Sequence, residues 1–282
     1  MLLALLGAGA RVLRALHADR LLRALRDRVD APFVKSGRPP LRGRADGVEL
    51  RGFLRHRSFL ADVTAGRFDA YAGRVLLDEL HEGVVFVDVG AHLGLYTLLG
   101  ARRVGMSGRV VAFEADPYTA AALAANVERT ATGNVHVVAK AASDHVGAAG
   151  FFLSPGTYGS SLYRRPSMAS LNRIEIEATT VDAEVGPADD LVLKIDAEGA
   201  ELDVLAGATR TLENAQRATV HIEVNPDALE EAGRSPVELV RALRDLRLEL
   251  WRIDQAAEAL IPLTGDDTGG WKGNLLGRRA GG

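Results

Sequence analysis

The sequence predicts an α/β protein: a doubly wound, mostly parallel sheet with an antiparallel strand near the C-terminus and a helical extension at the N-terminus. Three observations carry that expectation. Short apolar, β-branched runs at 84–89, 109–114, 135–139, 191–195 and 218–224 alternate with stretches of helical periodicity at 92–103, 117–130 and 200–212. The first two runs each close on one acid, Asp88 and Glu114, with a Gly-rich turn between them. Nearly half of the 282 residues are apolar and a quarter are charged, which suits one large globular domain with an extension.

Taken in order, Leu2, Leu5, Leu6, Leu13, Leu16, Leu21, Leu22 and Leu25 recur near helical spacing with arginines among them, and read as a helix. Residues 35–47 hold Gly37, Pro39, Pro40, Gly43 and Gly47 and read as a linker. The chain therefore divides into an extension and linker, 1–47, and an α/β domain, 48–282. An apolar stripe that includes Phe53, Phe59, Val63, Val75 and Leu80 predicts a helix over 53–82, ended by Gly83. Beyond 139 the rhythm breaks. Residues 173–181 alternate polar and apolar, as a strand with one wet face, and 151–153 is its expected partner. The Gly/Ser-rich stretch 154–167 is a candidate substrate lid, with Gly156 and Gly159 for freedom and Tyr158, Tyr163, Arg164 and Arg165 for grip; its plainer reading is a crossover loop. Pro236 then opens a helix over 235–246, and strands at 248–253 and 272–277 complete the set.

The formal net charge of −3 exerts no pull toward nucleic acid, but the charge is uneven. Residues 1–60 carry thirteen Lys/Arg against five Asp/Glu, which leaves −11 for the rest. The basic N-terminal helix is expected to pack on the domain or on a second subunit, so a homo-oligomer is left open. Contact with an anionic membrane surface through residues 1–30 is the less favoured reading. The first ten residues are apolar but too few to span a bilayer, which takes about 20. Basic residues follow them rather than precede them, unlike a secretory signal. The absence of cysteine excludes disulfides, thiolate zinc sites and cysteine nucleophiles, and a cytoplasmic location is expected.

The chemistry gathers at strand ends. In VVFVDVGAHLGLYT (84–97), Asp88 closes a buried strand, where an acid needs a donor. Gly90 lets the chain turn sharply beside a ligand, and Gly94 permits close contact with cofactor or sheet. The spacing Asp-x-Gly-x-x-x-Gly lacks the glycine pair of a dinucleotide cradle, so it fits S-adenosylmethionine (SAM) better than NAD. Asp88 then falls near the methionine end of the cofactor, unless it only caps the next helix. In VVAFEADP (110–117), Glu114 is placed to accept both ribose hydroxyls of a nucleoside. In LVLKIDAEGAEL (191–202), Asp196, Glu198 and Glu201 form either a reactive acidic cluster or a set of helix caps. In VHIEV (220–224), His221 and Glu223 share one strand face: an acid/base pair if that face overhangs the site, a polar stripe if not.

With VFVDVGAHLGLYT, VVAFEADP, LKIDAEGAEL and HIEV in order, the chain resembles the FkbM-type SAM-dependent methyltransferases over about residues 84–224, with an echo in WKGN (271–274). The resemblance implies a class I methyltransferase, Rossmann-like sheet with SAM across the carboxyl ends of its first, second and fourth strands. It further implies methylation of hydroxyls on sugars, glycoconjugates or natural products. Carried over by position, Asp88, Gly90 and Gly94 would line the cofactor loop, Glu114 the ribose, and Ser143 with Asp144 the adenine. Asp196 and Glu198 would face the reacting centre, Asp196 also touching the cofactor. His92 stands where the family commonly has Asn, and its imidazole can replace the amide as a cofactor contact.

Methyl transfer needs the acceptor oxygen about 3 Å from the methyl carbon and in line with the sulfur. An aliphatic hydroxyl must be activated, either by a base drawn from Asp196, Glu198, His221 and Glu223 or by Mg²⁺ held by Asp196, Glu198 and Glu223. Base catalysis without a resident metal is the expectation, on a small-molecule or glycan acceptor. An NAD- or nucleotide-sugar-dependent oxidoreductase would need G-x-G-x-x-G and Tyr-x-x-x-Lys, and neither occurs. A non-catalytic cofactor binder acting through its N-terminal helix would carry the same motifs.

Overall fold

A computed structural model describes residues 38–279 apart from 69, 131–132, 155–158, 165–171 and 267, together with 28, 30–32 and 36. The helix expected from Leu2 to Leu25 and the lid residues Gly156, Tyr158 and Arg165 lie outside the described residues.

Part of the stretch read as linker is a strand. β1 (Leu41–Ala45) pairs antiparallel with β2 (Val48–Gly52) across Asp46 and Gly47, both at positive φ, the two-residue turn that matches hairpin twist. Gly43 is there for contact: a Cβ would lie 2.9 Å from Thr64 Oγ1. The single helix expected over 53–82 is two, α1 (Arg57–Thr64) and α2 (Ala70–Asp78), with Gly66 at φ +66° turning the chain between them. Both bury their apolar faces, Phe59, Leu60 and Val63 from the first and Val75 and Leu76 from the second.

The expected alternation follows in β3 (Val85–Val89), α3 (Leu95–Val104), β4 (Arg109–Phe113), α4 (Pro117–Thr130) and β5 (Val135–Val138). The third helix starts later than periodicity suggested because Gly94, at φ +89°, is its N-cap. β6 (Ala141–Ala142), β7 (Gly147–Leu153) and β8 (Asn172–Thr179) form a separate sheet in which Phe151 pairs with Ile174, as expected. After α5 (Val181–Glu184) and β9 (Asp190–Ile195), the helix expected over 200–212 divides into α6 (Glu201–Ala206) and α7 (Thr209–Asn214). The break falls at Gly207, where a Cβ would lie 1.9 Å from the Ser143 carbonyl oxygen. β10 (Arg217–Val224) leads to α8 (Pro226–Glu231), unforeseen although Asn225-Pro226 caps it, and to α9 (Pro236–Asp245), capped by Ser235. β11 (Glu249–Asp254), β12 (Ala259–Pro262) and β13 (Gly273–Arg279) close the chain.

Eight strands make the main sheet, in the order β12-β11-β13-β10-β9-β3-β4-β5. The run from β10 to β5 is parallel, and β13 is inserted antiparallel between β10 and β11. This is the class I methyltransferase arrangement. The central strands are buried on both faces, which is why they read as continuous apolar runs. Val87, Leu193 and Val220 pack with Leu205, Leu239 and Leu243 on one side; Phe86 and Val192 pack with Leu50, Leu76 and Leu98 on the other. Strand order reverses at β3, so the carboxyl ends of β3, β4 and β9 part there and leave a crevice. Among the described residues, no helix is long and apolar enough to cross a membrane.

Candidate active site

The crevice holds a cavity of about 490 Å³, lined by Gly90 and His92 after β3, Glu114 and Asp116 after β4, Asp196 and Glu198 after β9, and Glu223 on β10. Six of the residues singled out in the sequence thus meet: Gly90, His92, Glu114, Asp196, Glu198 and Glu223. Asp88, Gly94, Ser143, Asp144 and His221 are not among its lining. The two loops at its floor touch backbone to backbone. Asp196 N–H donates to the Val89 carbonyl at 3.2 Å, and a Cβ on Gly90, at φ +75°, would lie 2.0 Å from the Asp196 carbonyl oxygen.

Glu114 is organised to receive hydroxyls. Its Oε2 accepts from His92 N–H at 2.8 Å and its Oε1 from Asp116 N–H at 2.9 Å. A carboxylate offers about four lone-pair sites, so each oxygen keeps one beyond these two bonds, and Phe113, Ala142, Phe151 and Leu162 supply an apolar wall of the same cavity. That acceptor-and-wall set fits a nucleoside. Burial, then the charge of Asp116, pushes the Glu114 carboxyl up to about 7, against the two backbone N–H bonds.

Sequence reasoning passed over several residues here. Asp116 stood in a quoted motif without a role; it caps α4 through Tyr118 and Thr119 N–H and pairs with Arg55 at 2.9 Å, both side chains buried. The acid-Pro pair at a helix start was the available signal. Phe59, Phe68 and Tyr96 form an aromatic wall on the side of the cavity that α1 covers. Phe59 was read as part of an apolar helical stripe, Phe68 and Tyr96 were given no role, and only the fold brings the three to the crevice.

In the β9 loop, Glu201 is a cap. It is fully buried, and its carboxylate accepts from Ala197 N–H and Gly199 N–H at 3.1 Å, holding Glu198 at φ +52°. Burial raises it to about 7. Asp196 and Glu198 keep their side chains on the cavity. Glu223 is pushed up to about 9, by burial first and then by Asp196, Glu198 and Glu201, with Lys272 opposing. At neutral pH it is therefore a donor, not a base. His221 shares its strand face but lies below the cavity. Burial and then the charge of Lys194 lower it to about 4, so it is neutral and forms no acid/base pair at the site. Among the described residues, no three His, Asp or Glu gather closely enough to hold a metal ion. The Mg²⁺ alternative on Asp196, Glu198 and Glu223 therefore gains no support from this arrangement.

Because Glu223 sits near 9 when folded and near 4.5 when free, the folded chain keeps a proton that the unfolded chain releases. That contribution is complete below about pH 4.5 and is lost as pH rises through about 9. Glu114 and Glu201, each near 7, add to the decline only up to about pH 8. Glu223→Gln is accordingly expected to flatten the decline in stability between pH 7 and 9, read from urea midpoints of the ligand-free protein. An unchanged slope would remove Glu223 as its source.

Ser143 and Asp144 stand just outside the cavity, whose wall is made instead by Lys140, Ala141 and Ala142. Asp144 accepts from Ser143 Oγ at 3.2 Å and pairs with His145 at 2.7 Å, and the latter contact holds its carboxyl below the usual range. From the lid stretch, Gly159, Ser160 and Leu162 reach the cavity. Tyr163 does not grip a substrate: its hydroxyl donates to Asp203, which also pairs with Arg234 at 3.2 Å. Arg164 is exposed.

Comparison with known proteins agrees with this architecture. The hexuronic acid methyltransferase AglP of Haloferax volcanii is similar at 28% identity over 191 residues, 67% of this chain and 74% of that one. A SAM-dependent O-methyltransferase from Thermotoga maritima is similar in structure at 13% identity and a TM-score of 0.40; the match covers 76% of this chain and 66% of that one, just under two thirds. A SAM-dependent methyltransferase from Aquifex aeolicus follows at 16% identity and a TM-score of 0.42, covering 73% and 87%. Strand order, not these scores, carries the fold. The model of the methyltransferase FkbM domain matches residues 88–250, over half of the chain, from the end of β3 through β10, and the protein belongs to that family.

Proposed function

We propose that this protein transfers the methyl group of SAM to a hydroxyl of a sugar, glycoconjugate or similar polyhydroxylated small molecule. The observation that carries the reading is one continuous cavity joining Glu114, with lone pairs left for hydroxyls, to the carboxylates of Asp196 and Glu198. SAM, when bound, supplies an electrophilic methyl group on a sulfonium. Glu114 would hold the ribose, and the Phe113, Ala142, Phe151 and Leu162 wall the base. Asp196 takes the proton of the acceptor hydroxyl, with Glu198 beside it. Protonated Glu223 donates a hydrogen bond to another acceptor oxygen. Phe59, Phe68 and Tyr96 offer apolar area for the C–H face of a sugar ring. The likeness to a hexuronic acid methyltransferase supports a sugar as acceptor.

Calorimetric titration tests the cofactor. S-adenosylhomocysteine is expected to bind and NADH not, and Glu114→Ala is expected to weaken the former by roughly ten- to a hundredfold. Binding of NADH alone, or unchanged affinity in the variant, would sink this reading. A screen of hydroxylated acceptors for S-adenosylhomocysteine release tests turnover.

A further inference from the structure

We propose that Lys194 is a positioning residue for the cofactor loop, and that Asp88 acts through it from beneath rather than on the ligand. The cofactor arm rests on the function proposed above; the loop arm does not. Lys194 interrupts an otherwise apolar strand and is almost wholly buried. In register it lies beside Asp88 on β3. Its Nζ is 3.2 Å from Asp88 Oδ1 and donates to the carbonyls of Val89 at 3.2 Å and Gly90 at 3.3 Å. Two of these contacts are hydrogen bonds to carbonyls and the third is an ion pair with the carboxylate. The other Asp88 oxygen accepts from Thr97 Oγ1 at 2.6 Å, in the first turn of α3. Asp88 is fully buried and does not line the cavity, so neither oxygen is presented to a ligand there.

A buried ion pair is a poor device for stability alone, because an apolar pair of like size holds a sheet as well or better. An apolar pair could not reach the Gly90 carbonyl, where the strand has run out; the Val89 carbonyl also accepts from Asp196 N–H. On the other side, the N–H groups of Gly90 and Ala91 both donate to the Phe113 carbonyl at 3.0 Å. The turn is thus pinned by its N–H groups to β4 and by its C=O groups to Lys194. That pinning presents the Gly90 backbone to the cavity in one conformation, a saving of ordering entropy when a ligand binds.

The test separates loop order from bulk stability. Lys194→Met alone leaves Asp88 buried without its cation and is expected to lower the melting temperature. Asp88→Asn with Lys194→Met removes the stranded charge and should restore most of that loss, yet the Gly90 carbonyl stays without its Lys194 bond. In the double variant, amide exchange at residues 90–93 of the ligand-free protein should rise roughly tenfold, and S-adenosylhomocysteine affinity should fall roughly tenfold. Lys194→Arg, which keeps charge and donors, should recover part of both. Exchange at the wild-type rate in the double variant overturns the proposal, as does wild-type affinity. Wild-type protein that fails to bind S-adenosylhomocysteine overturns the function instead, and the exchange measurement still decides the role of Lys194.

Discussion

Gly90→Ala should abolish measurable cofactor binding and destabilise the fold by on the order of 2–5 kcal/mol. Two penalties coincide at this residue. Its φ of +75° is strained for any side chain, and the added methyl would lie 2.0 Å from the Asp196 carbonyl oxygen, far inside van der Waals contact. Relief requires the loops after β3 and β9 to part. Parting them breaks the 3.2 Å bond from Asp196 N–H to Val89 and shifts Asp196 and Glu198 together. Urea unfolding and titration with S-adenosylhomocysteine measure the two effects separately. A variant with wild-type midpoint and affinity would mean that the two loops do not need this close crossing.

Asp196→Asn should lower kcat by about 10²–10⁴-fold, the usual contribution of a general base, with a much smaller change in KM. It is the acid best placed for the task, because Glu201 is turned inward as a cap, Glu223 is protonated at neutral pH, and His221 lies below the cavity. The same substitution removes a charge that helps hold Glu223 near 9, so the Glu223 titration should move down in this variant. Initial rates of S-adenosylhomocysteine release against pH report both. Retention of more than roughly a tenth of kcat would pass the role of base to Glu198, for which Glu198→Gln is the matching test.

How far the site was legible depended on whether its signals were local. Gly90 and Glu114 were readable because a turn glycine and a strand-ending acid declare themselves within a few residues. Glu201 was readable only as an alternative between cap and cluster. Choosing between these needs the positions of Ala197 N–H and Gly199 N–H relative to its carboxylate. Asp88 looked like a ligand contact because a buried acid must have a donor; in the fold Thr97 Oγ1 donates to it, and Lys194, brought alongside by strand register, pairs with it. The β1–β2 hairpin was missed despite its Asp46-Gly47 turn, because Pro and Gly density reads as linker when nothing shows what the chain packs on.

By itself, the sequence determined the mostly parallel sheet, the alternation of strand and helix from β3 to β5 and again from β9, and the acids that end the strands. All of these follow from periodicity and turn chemistry, which act between near neighbours. Tertiary structure alone decided which of those acids face the ligand, which are protonated, and which serve as props. Facing is set by register between strands remote in sequence. Protonation is set by how much water folding removes and which charges it then leaves together.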